Sequence, residues 1–373
     1  MPSTYGDMPS RASTFPLYHS ARHKPRRWPL VLRMTKGSVH LSVMLPLAFH
    51  CGFTALVVYY DLYVKSVGVP GSIVPSLSIV VGLMLVFRNS SSYDRFWTGR
   101  NNLSQMCAGV RNLTRYFLAC SRNSKDERTE AERVDTEATV RVLVTILYAV
   151  KHNLRAEFGD TSVTNPGTPL WSSTVSTPFL PTPGVASHRR QSLLDAEAVA
   201  ESLNSTTVRP EYNEALPQTL SYLEDHGLSM PLQLAVNVEA YIRRGVLRGW
   251  WAPPQASYLD TQLGNIVSNY TAMETIRFTP LPVAHLIHVK QVLALYMMVL
   301  PFAMVDEWAW WTIPLVGVVT FTLYGIESIG KQLEDPFGYD RNDIKMDAIV
   351  EDAKMECEAL LEEWRRKDSV LFH

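Results

Sequence analysis

The chain has 373 residues, room for one large domain or two ordinary ones, and its formal charge of −1 gives no electrostatic reason to bind nucleic acid. Its four cysteines, Cys51, Cys107, Cys120 and Cys357, lack disulfide or metal spacing and read as reduced, buried small side chains rather than a secreted framework or a redox site. HExxH, G-x-S-x-G, Walker and Cys-x-x-C patterns are missing, so no motif points to an enzyme.

Residues 1–34 are basic, contain Ser and Thr, and faintly resemble a mitochondrial presequence. Pro2, Pro9, Pro16, Pro25 and Pro29 oppose the amphipathic helix that such a leader needs. The preferred reading is a disordered basic tail lying near anionic lipid headgroups.

Asp, Glu, Lys and Arg are absent from residues 39–60, 66–87 and 308–326, and Lys290 is the only one within 278–305. A bilayer-spanning helix needs about 20 mostly apolar residues, so four spans are expected at about 39–60, 66–87, 278–305 and 308–327. Their Pro, Gly and Ser interruptions are tolerated where neighbouring helices satisfy the freed backbone groups. Arg22, Lys24, Arg26, Arg27, Arg33 and Lys36 precede the first span, and Arg88, Arg95 and Arg100 follow the second. The two connectors within the span pairs carry only Asp61 and Lys65, and Asp306 and Glu307. Lys and Arg of short loops stay inside, so both termini and the middle region are expected in the cytosol. Asn-x-Ser/Thr triplets at Asn89, Asn112, Asn204 and Asn269 would then escape glycosylation.

Outside the spans, helical spacing of apolar residues predicts helices over 93–120, 131–158, 217–248, 257–276 and 347–367, the last ending in Arg365, Arg366 and Lys367. Residues 159–208 shift to Ser, Thr and Pro without periodicity and are expected to be a loosely ordered insertion. The fold class is therefore all-α: a four-span helical membrane protein with a continuous cytosolic helical bundle over 35–373, behind the tail 1–34.

Three features of the spans carry chemistry. His285 and His288 could form a metal pair, with interhelical hydrogen bonding the preferred role. Lys290 could pair inside the bundle, although its place one turn into the span favours snorkelling to the inner interface. Ile79, Leu83 and Phe87 recur at i, i+4 and i+8 and form one stripe. That stripe is either a packing face or, with several copies around an axis, a stack of apolar rings that gates by dewetting. The helical period need not break at Arg88, so one helix could run from membrane to cytosol.

The run Phe87-Arg88-Asn89-Ser90-Ser91-Ser92-Tyr93-Asp94-Arg95-Phe96-Trp97, followed by Arg100, resembles the second-helix signature of the bestrophin family and its bacterial, plant and fungal relatives. The run Glu274-Thr275-Ile276-Arg277-Phe278-Thr279-Pro280-Leu281-Pro282 is similar to that family's entry to the third span. The segment 325–343, with its Pro336-Phe337-Gly338 turn, resembles the exit from the fourth. The resemblance covers about 35–367 apart from the insertion. It implies a homopentameric, four-span chloride channel with one central pore, whose neck rings fall on Ile79, Leu83 and Phe87. It also implies a second, cytosolic constriction somewhere within 251–258.

Gln332, Asp335, Asp340 and Asp343 fall on the positions where animal relatives hold calcium, the one cofactor that the resemblance raises. Tyr339, Arg341 and Asn342 interrupt the acidic run and favour a structural role instead. In that role Asp340 or Asn342 caps the last helix, and Asp335 caps or ion-pairs locally. Two other functions stay open: a cation channel of the same fold, because Ile-Leu-Phe is nearer the bacterial-type neck, and a membrane-anchored scaffold without conductance.

Overall fold

The computed structural model describes residues 40–122, 129–155, 229–340, 342–366 and 371. The tail 1–34, the insertion 159–208 and the first part of the helix expected over 217–248 lie outside the described residues. The chain runs as α1 (His40–Tyr63), α2 (Ile73–Arg122), α3 (Glu130–Leu154), α4 (Met230–Leu247), α5 (Pro253–Phe278), α6 (Val283–Trp308), a 3-10 turn (Ala309–Trp311), α7 (Thr312–Glu334) and α8 (Met346–Arg365). No strand occurs among the described residues.

Prolines reset two span boundaries. The helix of the second expected span starts at Ile73 rather than at 66, because Pro70 and Gly71 sit in a turn ahead of it. The Asp61 carboxylate organises that loop by accepting the Val67 N–H at 2.8 Å. The third span starts at Val283 rather than at 278: α5 continues to Phe278, and Pro280 and Pro282 separate it from α6. α6 and α7 form one apolar run divided at Ala309, whose φ of 44° is one that a residue with a Cβ seldom adopts.

The apolar ends of α1, α2, α6 and α7 pack together. Val81 and Leu85 of α2 meet Val289, Leu293 and Met297 of α6 and Val316 of α7. α1 joins through Nε2 of His50, 3.1 Å from the Tyr324 hydroxyl, and through an edge contact of Phe53 with Phe302. Their outer faces are apolar and bare: Leu41, Leu45, Phe49 and Leu56 of α1 are 61–90% exposed, as is Val318 of α7 at 65%. Leaving such a side chain in water forfeits about 1.5–3 kcal/mol each, so these faces belong in a bilayer or against another subunit.

The distal half of α2 forms the core of the other lobe with α3, α4, α5 and α8. Leu103, Met106, Val110, Leu113 and Phe117 are fully buried there. α8 is amphipathic, as its spacing predicts, burying Met346, Val350, Ala353, Cys357, Leu361 and Trp364 on one stripe. It is tied outward by Arg111 to Asp352 and Glu356, by Arg155 to Asp347 at 2.8 Å, and by Arg365 to Glu137. Arg365 therefore serves an interhelical pair and not only the helix end.

Candidate functional site: the face of α2 and the ion pairs behind it

α2 is continuous for 50 residues, so the expected helix from the apolar layer to the polar lobe is present. Its buried residues Val81, Leu85, Arg88, Ser92, Gly99, Leu103 and Met106 advance by three, four or seven, one straight seam against the rest of the chain, with the half-buried Arg95 and Phe96 bridging 92 to 99. Ile79, Leu83 and Phe87 stand on the other side, 71%, 54% and 61% exposed. This stripe is not a packing face within its own chain, so what covers it lies outside the protomer. Only 17% of the most apolar stretch of α2 is buried inside the chain.

Behind the stripe lies a buried charge. The Arg88 side chain is 3% exposed, with Nη2 3.7 Å from Glu327 and 3.6 Å from Glu334 of α7. Lys290 of α6, itself 57% exposed, reaches the same Glu327 oxygen at 3.7 Å, so an ion pair to the bundle accompanies its exposed position. That carboxylate lies one residue past the apolar run, where hydropathy alone gives it no partner. Arg88 Nε and Nη1, Ser92 Oγ and Asn89 Oδ1 are buried without a hydrogen-bond partner. Charges held at membrane depth are costly unless paired, which makes this cluster a place where the fold accepts strain.

About two turns beyond Arg88 on α2, Arg95 closes two helix ends. Its Nε donates to the Glu334 carbonyl at 3.0 Å, Nη1 to the Thr279 carbonyl at 2.8 Å, and Nη2 to the Ile276 carbonyl. These carbonyls end α7 and α5, where a cation also suits the helix dipoles. Arg277 pairs with Asp335, and the Phe337 ring lies against Gly99, where a Cβ would come within 2.8 Å of it. The three sequence runs, 87–100, 274–282 and 325–343, thus converge at one level of the molecule.

Groups of the chain itself engage Gln332, Asp335, Asp343 and the Asp340 backbone. The Asp335 carboxylate meets the Arg277 guanidinium, Gln332 Oε1 accepts from Asn342 at 2.7 Å, Asp343 Oδ2 accepts the Asp340 N–H at 2.7 Å, and Lys345 Nζ donates to the Asp340 carbonyl at 2.9 Å. Among the described residues no three His, Cys, Asp or Glu side chains gather as a metal site. The residues present therefore fit cations of the chain better than a bound divalent ion, since calcium wants six to eight oxygens. The expected cap is corrected: Lys345, with no side-chain cap bond, precedes α8, and neither Asp340 nor Asn342 caps it. The expected local ion pair of Asp335 is present.

Other expected residues sit apart. His285 and His288 are exposed on α6 and make no hydrogen bond to another described helix, so they do not serve the interhelical role expected of them. Within 251–258, Trp251 and Ala256 belong to the core, Trp251 donating to the Ile242 carbonyl at 3.0 Å, while Pro254, Ser257 and Tyr258 are exposed. Cys107 and Cys357 are buried, and burial pushes both thiols up to about 11; Cys51 and Cys120 are half-buried.

An all-α bundle with four apolar helices and bare outer faces is a helical membrane protein. The family described as bacterial/fungal bestrophin protein matches residues 19–359, and the chain belongs to it. A voltage-dependent anion channel-forming protein of Nostoc is 32% identical over 78% of this chain and 76% of its own length. One of Synechocystis is 29% identical over 92% of this chain and 95% of its own. A bacterial bestrophin homolog from Klebsiella pneumoniae shares the fold with a TM-score of 0.63, at 20% identity over 86% of this chain and 98% of its own.

Proposed function

We propose that the chain is the pore-forming subunit of a bestrophin-like anion channel, conducting chloride passively, with no enzymatic step. The observation that carries this reading is the Ile79, Leu83 and Phe87 stripe, exposed along a helix whose opposite seam is fully packed. Five copies around one axis would turn the stripe into three apolar rings, a neck that weakly hydrated anions can cross. The cyanobacterial relatives, described as voltage-dependent anion channel-forming proteins, support the anion reading. Four crossings with both termini cytosolic agree with the excess of Lys and Arg at the ends of the span pairs. We read 35–373 as one channel unit, with 1–34 and 159–208 as accessory segments.

Purified protein in a planar bilayer under a potassium chloride gradient tests this. The reversal potential should move toward the chloride equilibrium potential. Movement toward that of potassium would install the cation channel instead, and a silent bilayer the scaffold. Because Arg277 and Lys345 occupy the acidic turn, calcium from nanomolar to micromolar should leave open probability nearly flat. Strong activation would restore Gln332, Asp335, Asp340 and Asp343 as a clasp.

A further inference from the structure

The free face of α2 does not end at Phe87. The helix is unbroken to Arg122, so the azimuth of the stripe carries on past the apolar layer. Stepping by threes and fours from Phe87, the same face presents Ser90, Asp94, Trp97, Asn101, Ser104 and Ala108, every one exposed. The packed seam opposite continues over the same length through Ser92, Gly99, Leu103 and Met106. Whatever faces Ile79, Leu83 and Phe87 therefore also faces this polar row.

Asp94 is the first ionisable side chain on that row. Arg88 lies in the seam, held by Glu327 and Glu334, and Arg95 is turned to the carbonyls of α5 and α7. Asp94 makes no hydrogen bond or ion pair with any described residue. After Arg95 the next cation along α2 is Arg100, which donates to Ser104 of the row. It stands about 9 Å further along the axis at 1.5 Å per residue, roughly one Debye length at physiological salt. Asp94 itself is about 10 Å beyond Phe87 on the same rise.

We propose that Asp94 is a specificity-determining residue: repeated around the axis, it forms an acidic ring just inside the neck that opposes anion entry from the cytosolic side. Rings of Asp or Glu raise the local cation concentration and lower that of anions. The apolar neck and this ring would then pull in opposite directions, leaving the anion preference shallow. The inference rests on the stripe lining the pore and deepens that reading by naming the charge next to it.

The test is reversal potential and single-channel current of Asp94→Asn and Asp94→Glu beside wild type, each under a potassium chloride gradient, once centred on about 20 mM and once on about 1 M salt. Asp94→Asn should raise the chloride-over-potassium permeability ratio by about two- to fivefold at low salt, with the difference largely screened at high salt. Asp94→Glu should keep the wild-type ratio. An unchanged ratio with the oligomer intact would overturn the ring, and loss of the oligomer on size exclusion would place Asp94 in a subunit contact and overturn it as well. Leu83→Ala measured alongside separates the two levels. If it alters the current and Asp94→Asn does not, the ring fails and the pore helix stands; if neither does, both fail.

Discussion

Arg88 is held behind the stripe by attraction and not by saturated hydrogen bonding. Its distances to Glu327 and Glu334, 3.7 and 3.6 Å, exceed the usual 2.7–3.2 Å of an N–H···O bond. Removing one member of such a cluster leaves the others buried and unbalanced, at a cost of about 3–5 kcal/mol. Arg88→Met should therefore melt several degrees below wild type in detergent, whereas Lys290→Met, at an exposed end, should melt close to it. Equal melting of Arg88→Met and wild type would show the cluster to be idle. Asp343 titrates in the opposite sense to most carboxylates. Burial raises its pKa from 3.8 to about 6, against the Asp340 N–H that lowers it. The native state then holds this proton more tightly than the unfolded chain, so the contribution is present below 3.8 and lost as pH rises through about 6. Burial also pushes Asp347 up, but Arg155 and Lys151 outweigh it and hold the group low, so its contribution is lost as pH falls. The two are separated by difference: the melting temperature of wild type minus that of Asp343→Asn should shrink between pH 4 and pH 6. Parallel curves would mean that Asp343 is not buried in its acid form.

At the scale of elements, α2 and the Pro336-Phe337 turn are locked where Gly99 lets a fully buried ring approach the helix. A Cβ at Gly99 would sit 2.8 Å from Phe337 Cζ and 3.4 Å from Pro336 Cγ, and a buried ring between two helices has little room to retreat. Gly99→Ala should cost about 1–3 kcal/mol, the usual range for overpacking, read as a lower denaturant midpoint; Gly264→Ala, with open space around it, is the control. A midpoint unchanged in Gly99→Ala would mean that the turn is free to shift. This close approach illustrates what could be read from sequence. The helices were legible from their periods, and α2 kept one seam across the change from apolar to polar residues because burial, not composition, sets that period. Hydropathy does not place the helix starts at Ile73 and Val283, because it averages over prolines that the backbone cannot ignore. The partners Glu327 and Glu334 of Arg88 were illegible, since nothing local links residues so distant in the chain. The clasp positions were legible only as positions: their side chains turned to Arg277, Asn342 and the Asp340 N–H, a choice made by tertiary neighbours.

For the whole molecule, the same helix offers two kinds of substitution that should part cleanly. Leu85 is 3% exposed in the seam, and Leu85→Ala should lose about 2–5 kcal/mol, the cost of a buried large-to-small change. Ile79, Leu83 and Phe87 touch little within their own chain, so Ile79→Ala, Leu83→Ala and Phe87→Ala together should leave the protomer's fold nearly unperturbed. If they form rings around an axis, the triple change removes the bulk of all three at once. Single-channel recording should then show a larger unitary conductance or a loss of closed events, while light scattering still reports about five copies of the 42.1 kDa chain. Currents identical to wild type would remove these residues from the pore. Disassembly of the oligomer would instead assign the stripe to subunit contact. A lipid-facing stripe would leave both conductance and assembly unchanged, and the polar continuation of the same face through Ser90, Asp94 and Asn101 argues against lipid, because a row that turns from apolar to polar suits an axis or a neighbouring subunit better.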